Sequence, residues 1–125
     1  MPPPMCGGCG LRLFHCVCDL LEPVPARTPM RIIRHRAERY KSSNTGGLLT
    51  KVLPYCQLID HGDEGTPFDT DFLAVPNLVL VFPGREQPLP PSPTLLILDG
   101  TWPQVRKMMR RIPGLALLDR KSTRL

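Results

Sequence analysis

Two apolar runs without alternation constrain this chain more than any other feature. "NLVLVFPG" spans 77–84 and "TLLILD" spans 94–99. A strand with one wet face alternates apolar and polar residues. A run apolar at every position reads instead as a parallel strand covered on both sides. Pro83-Gly84 and Asp99-Gly100 punctuate the two ends. Strands covered on both faces need helices above and below the sheet, which predicts an α/β domain with a mainly parallel sheet.

The rest of the chain supplies the other pieces. "MRIIRH" (30–35) reads as a short strand and "CQLID" (56–60) as another. Between them, "TGGLLTKVLPYC" places Leu48, Leu49, Val52 and Leu53 on one helical stripe that Pro54 should end. "PQVRKMMRRI" is a second helix, with Pro103 suited to its first turn and Val105, Met108, Met109 and Ile112 facing inward. Gly114 is placed to stop it, and "LALLD" (115–119) reads as a further strand. The stretch 60–71 carries Asp60, Asp63, Glu64, Asp69 and Asp71 without a Lys or Arg and reads as an exposed acidic loop. The lone Cys56 reads as a small buried apolar residue.

A chain of 125 residues holds one domain at most. Of its 16 prolines, 11 gather at 2–4, 23–29 and 83–93, marking a frayed start and two stiff connectors. This divides the chain into a cysteine-rich segment with its linker (1–26) and the α/β domain (27–125). The net charge is +5, concentrated in 27–41 and 106–124. Such patches suit a nucleic-acid surface, and solvated helix faces explain the same charges. No run approaches a membrane span and no secretion signal opens the chain, so a cytoplasmic setting is expected, or the nucleus in a eukaryote.

In that reducing setting Cys6, Cys9, Cys16 and Cys18, in "CGGCGLRLFHCVC", should be thiols or metal ligands. The spacing admits a closed four-thiolate zinc site, a redox CxxC pair or a chance cluster. A redox pair follows a strand and opens a helix, which this segment does not do, so structural Zn2+ is the expectation. Binding it would supply the folding energy of a segment too short for a core.

In open parallel sheets, ligands bind beyond the carboxyl ends of the strands. That rule selects His35, Pro83-Gly84 and Asp99-Gly100-Thr101. Asp99 reads either as a turn-former or as a carboxylate that accepts a proton. Trp102 reads either as a core plug or as a plate for a base or an adenine ring. "HRAERYKSSNTG" combines an imidazole, a carboxylate and helix-capping residues, a set able to hold a phosphate or carboxylate.

The order of these pieces resembles the DTW-domain proteins, the tRNA-uridine aminocarboxypropyltransferases. The likeness runs over about 6–115, through the cysteine cluster, "RHRAERYKSSNTG", "VLVFPG" and "LLILDGTWPQVRKM", and "LDGTW" carries the D-x-T-W signature. It implies a fold related to the knotted SAM-dependent RNA-modifying enzymes. It further implies transfer of the 3-amino-3-carboxypropyl group of S-adenosyl-L-methionine to N3 of a uridine in tRNA. Asp99 would be the base or orienter. Phe82, Pro83, Gly84, Leu98, Thr101, Trp102 and Gln104 would shape the S-adenosyl-L-methionine pocket. His35, Asn44, Thr45, Gly46, Arg106, Lys107 and Arg110 would meet the tRNA. Family members continue past "LDRKSTRL", so the resemblance implies a C-terminally truncated chain with an incomplete knot. Two rival expectations are a non-enzymatic, zinc-stapled RNA-binding remnant and a SAM-dependent RNA methyltransferase.

Overall fold

The computed structural model describes residues 4, 6–7, 11–39, 46–62, 67–81, 88–116 and 118. Four strands form one sheet: β1 (Met30–His35), β2 (Cys56–His61), β3 (Leu78–Leu80) and β4 (Thr94–Asp99). Their order across the sheet is β2-β1-β4-β3, and every pairing is parallel. The chain winds from β1 outward to β2, then crosses to β3 at the far edge and returns to β4 beside β1. The direction of winding therefore reverses between β1 and β4, the place where open parallel sheets present a crevice.

Two helices cover the two faces. Helix α1 (Gly46–Val52) carries the Leu48, Leu49 and Val52 stripe, and its last turn closes with Leu53 N–H on the Leu49 carbonyl at 2.9 Å. Pro54 follows at once; it has no N–H to donate and disfavours helical geometry in the residue before it. Helix α2 (Trp102–Arg111) has Pro103 in its first turn, where a missing N–H costs nothing. Its inward residues Val105 and Met108, with Ile112 just beyond, pack on Ile33, Leu80, Leu96, Phe72 and Leu115 to make the core. On the opposite face, Ile32 and Ile97 meet Gly46 and Leu49 of α1. Successive side chains of a strand point to opposite faces. Adjacent Ile32 and Ile33 thus serve different layers, which is why their run shows no alternation.

Three expectations change. Residues 115, 116 and 118 are helical rather than extended: Leu118 N–H bonds the Gly114 carbonyl at 3.3 Å, and Leu115 is fully buried in the core. Gly114, at φ +92°, turns the chain into that extra turn. The acidic stretch is not one exposed loop. Asp60 and His61 complete β2, Thr70–Leu73 form a 3-10 turn, and Phe72 is buried against α2's core partners. Finally, the run at 77–84 is strand only over Leu78–Leu80, and Val81 is already exposed although its N–H still reaches the Leu96 carbonyl at 2.9 Å. No described helix is long and apolar enough to cross a membrane.

Met108 is 0% exposed and central to the α2 contact. Met108→Ala should lower the unfolding free energy by about 2–5 kcal/mol, read as a fall in the urea midpoint. A change below ~1 kcal/mol would contradict its placement in the core.

Candidate active site

The carboxyl ends of β1, β2 and β4 bring charged and aromatic-nitrogen groups together, sorted onto two faces by strand period. Register places Arg34 beside Asp60 on one side and Asp99 on the other. Parallel neighbours lie about 4.8 Å apart, so one guanidinium stands between two carboxylate-bearing positions. Toward Asp60 the bond is bidentate, Nε donating to Oδ1 at 2.7 Å and an Nη donating to Oδ2 at 3.2 Å. Arg39 adds a third donor to Asp60 at 3.1 Å. Asp99 is half-buried and lines an open groove of about 170 Å³ with Ile32, Gly46, Leu49, Ile97 and Leu98. The groove lies between α1 and the sheet, at the winding reversal.

The turn after β4 is held by other residues. Thr101 caps α2: its hydroxyl accepts the Gln104 N–H at 3.4 Å, and Gln104 Oε1 accepts the Thr101 N–H at 2.8 Å. This reciprocal box satisfies two of the helix's open donors. Asp99 stands outside it, so the cap does not account for a carboxylate at this position. Gly100 is required by close approach. A Cβ there would lie 2.9 Å from Gln104 Oε1 and 3.4 Å from the His35 Cβ. Thr101 and Gln104, expected around a cofactor, are thus seen first as the parts that fix where α2 begins.

His35 and His61 lie in register on the α2 side of the sheet. His35 Nδ1 accepts the Ala37 N–H at 3.1 Å and so caps the 3-10 turn Arg36–Glu38. That bond puts the proton of neutral His35 on Nε2. His61 packs edge-on against Phe68, with ring centroids 5.8 Å apart. Its Nδ1 is buried without a hydrogen-bond partner. Burial, His35 and then Arg111 push the His61 pKa below its ordinary value. Sequence reading missed His61; its place at the end of a strand beside His35 was the available signal, hidden by the acidic residues that follow.

Trp102 is 55% exposed, so it is not a core plug. As the first residue of α2 it has no layer behind it to fill. Arg106, Lys107 and Arg110 are exposed on the outward side of α2, as the periodicity predicts. Gly46 and Leu98 share the Asp99 groove, whereas His35 sits against Gly100 toward the other face. Phe82, Pro83, Gly84, Asn44 and Thr45 lie outside the described residues, as does Cys9.

In the N-terminal segment the Sγ atoms of Cys6, Cys16 and Cys18 all lie within 4.8 Å of one another. Cys6 is 3.6 Å from Cys18 and 3.5 Å from Cys16. A disulfide would need about 2.05 Å. Tetrahedral thiolates at ~2.3 Å from zinc stand about 3.8 Å apart. The spacing therefore fits a group that can hold a metal ion, consistent with structural zinc. The Cys6 N–H on the Leu11 carbonyl at 2.7 Å and the Leu13 N–H on the Pro4 carbonyl at 3.1 Å fold the loop around it.

The family model of the DTW domain matches residues 3–123 of the chain. No solved structure matches the chain.

The His61 environment has a pH signature. Its folded pKa lies below the ordinary value of about 6.5, so the unfolded chain binds the proton more readily. The stabilisation is complete above that value and is lost as pH falls through the lowered one. Urea unfolding from pH 7.5 to 5 should show falling stability with a shallower slope in His61→Gln. Identical slopes in the two proteins would contradict the assignment.

Proposed function

The chain belongs to the DTW-domain family, and from that premise we propose that it is a tRNA-uridine aminocarboxypropyltransferase acting from S-adenosyl-L-methionine. Family membership is consistent with a role in tRNA modification. The observation that carries the finer reading is Asp99: a half-buried carboxylate at the winding reversal, lining a groove, with the local cap supplied by Thr101 and Gln104 instead. A parallel sheet that reverses between β1 and β4 also agrees with a fold related to the knotted RNA-modifying enzymes.

The donor supplies an electrophilic carbon beside its sulfonium. Uracil N3–H is a weak acid and becomes a nucleophile only as its proton leaves. Asp99 accepts that proton as the N3–carbon bond forms, and the carbon–sulfur bond breaks to release methylthioadenosine. Arg34, register neighbour to both Asp60 and Asp99, keeps a cation beside the base. Gly46 and Leu98 form walls of the same groove, exposed Trp102 offers a ring to stack on, and the family resemblance assigns Phe82, Pro83 and Gly84 to donor binding. The family resemblance assigns His35, Asn44 and Thr45 to RNA binding, and the exposed Arg106, Lys107 and Arg110 meet its phosphates. Cys6, Cys9, Cys16 and Cys18 hold a structural zinc ion.

Two measurements test this. Nucleoside mass spectrometry of tRNA incubated with the chain and the donor should find uridine carrying the added aminocarboxypropyl group. Asp99→Ala should lower the rate by about 10²–10⁴-fold; undiminished activity removes Asp99 from the mechanism, and S-adenosylhomocysteine as the by-product would make the protein a methyltransferase. Metal analysis of the purified chain should give zinc that is lost in the Cys6→Ser, Cys16→Ser double variant. Unchanged zinc would rule out the four-thiolate site.

A further inference from the structure

Phe14 is 92% exposed, the most exposed large apolar side chain among the described residues. It is not at a frayed end. It sits in the 3-10 turn Leu13–His15, between Cys6 and Cys16, inside the loop those cysteines close. The His15 N–H bonds the Arg12 carbonyl at 2.8 Å, and the Cys16 N–H bonds the Leu13 carbonyl at 3.2 Å. The ring is therefore presented by a backbone tied on both sides, and a bound metal would stiffen that backbone further. Leu13 and Leu20, 56% and 79% exposed, extend the apolar surface in the same segment.

The surroundings of Phe14 say what it faces. Arg12 and His15 flank it and both are exposed. The turn carries no acidic residue, and Asp19 and Glu22 come only after the last cysteine of the cluster. The His15 ring makes a T-shaped contact with Phe14, centroids 5.3 Å apart at 74°, and Phe14 nevertheless keeps 92% of its surface accessible. An exposed aromatic ring with an exposed arginine two residues away on the same short segment is a combination that suits unpaired nucleotides: the ring stacks on a base and the cation meets the phosphate. A purely apolar partner would leave the Arg12 charge to be desolvated without compensation.

We propose that Phe14, with Arg12 and His15, forms a base-stacking platform on the cysteine loop that engages an unpaired nucleotide of the RNA substrate. This rests on the reading that the substrate is RNA, and it assigns the loop a direct binding role in addition to a structural one. The platform gives the enzyme a hold on single-stranded RNA that is separate from the Asp99 groove. Stacking also tolerates any base, so the platform contributes affinity and favours unpaired over duplex RNA without reading sequence.

The test is fluorescence anisotropy of the full chain with a labelled single-stranded RNA and with the same RNA annealed to its complement. Phe14→Ala should weaken single-strand binding roughly 5- to 150-fold, the equivalent of about 1–3 kcal/mol per stacked base. Duplex binding should stay within about twofold, well inside the tenfold that 1.4 kcal/mol represents. Phe14→Tyr should restore single-strand binding and Phe14→Leu should not. Metal content and melting temperature, measured on each variant, should match the parent chain, separating lost stacking from a lost loop. If Phe14→Leu binds as the parent does, or Phe14→Ala changes nothing while the parent binds RNA, the platform is wrong and the RNA reading stands. If the parent binds no RNA, both fall. Self-association of the parent that Phe14→Ala abolishes, with RNA binding intact, would assign the surface to a second copy and overturn the proposal.

Discussion

The structure depends on β1 having a parallel partner along each edge. Met30 to His35 hydrogen-bonds β2 on one side and β4 on the other, while its two isoleucines are consumed by opposite layers. At those two isoleucines the strand has no face or edge left for water. The helix crossover to β2 and the long return to β4 must then lead away from it in opposite directions. The crevice at the carboxyl ends of β1 and β4 is a consequence of that winding, not of any one residue placed there.

From this frame the site inherits its division of labour. Odd and even positions at the ends of the strands face different layers. Asp60, Arg34 and Asp99 form a row on the α1 side, with the cation between the two acids. His35 and His61 lie on the α2 side, His35 against the Gly100 turn that leads into that helix and His61 within the electrostatic reach of Arg111. One face is thus built around a carboxylate paired with arginines and the other around two imidazoles. Burial, His35 and then Arg111 hold the His61 pKa below its ordinary value.

Much of this was legible in the sequence, and the limits follow from what each signal measures. The strands at 30–35 and 94–99 and the helix after Thr101 announce themselves through apolar patterning and a capping sequence, both local properties. "LALLD" was misread because a short apolar run looks the same in a buried strand and in a buried helical turn. Only its distance from a free sheet edge and the Gly114 turn decide between them. Asp60 and Asp71 read as parts of one acidic loop because charge density dominates a window whose first residues finish a strand and whose last ones open the turn that carries Phe72 into the core. Trp102 was open between core and surface. Its exposure follows from α2 beginning one residue earlier, where nothing packs behind it.

The sequence by itself determined the class of fold, the family, the cysteine cluster and the presence of an acid after the fourth strand, because these depend on residue type, spacing and order. Which groups meet was decided only by the tertiary structure. That Arg34 stands between Asp60 and Asp99, that His35 pairs with His61, and that Phe14 points to solvent rather than into a core all depend on the strand order β2-β1-β4-β3 and on loop closure. Strand register joins residues tens of positions apart, and no local pattern encodes which edge of β1 each partner will take.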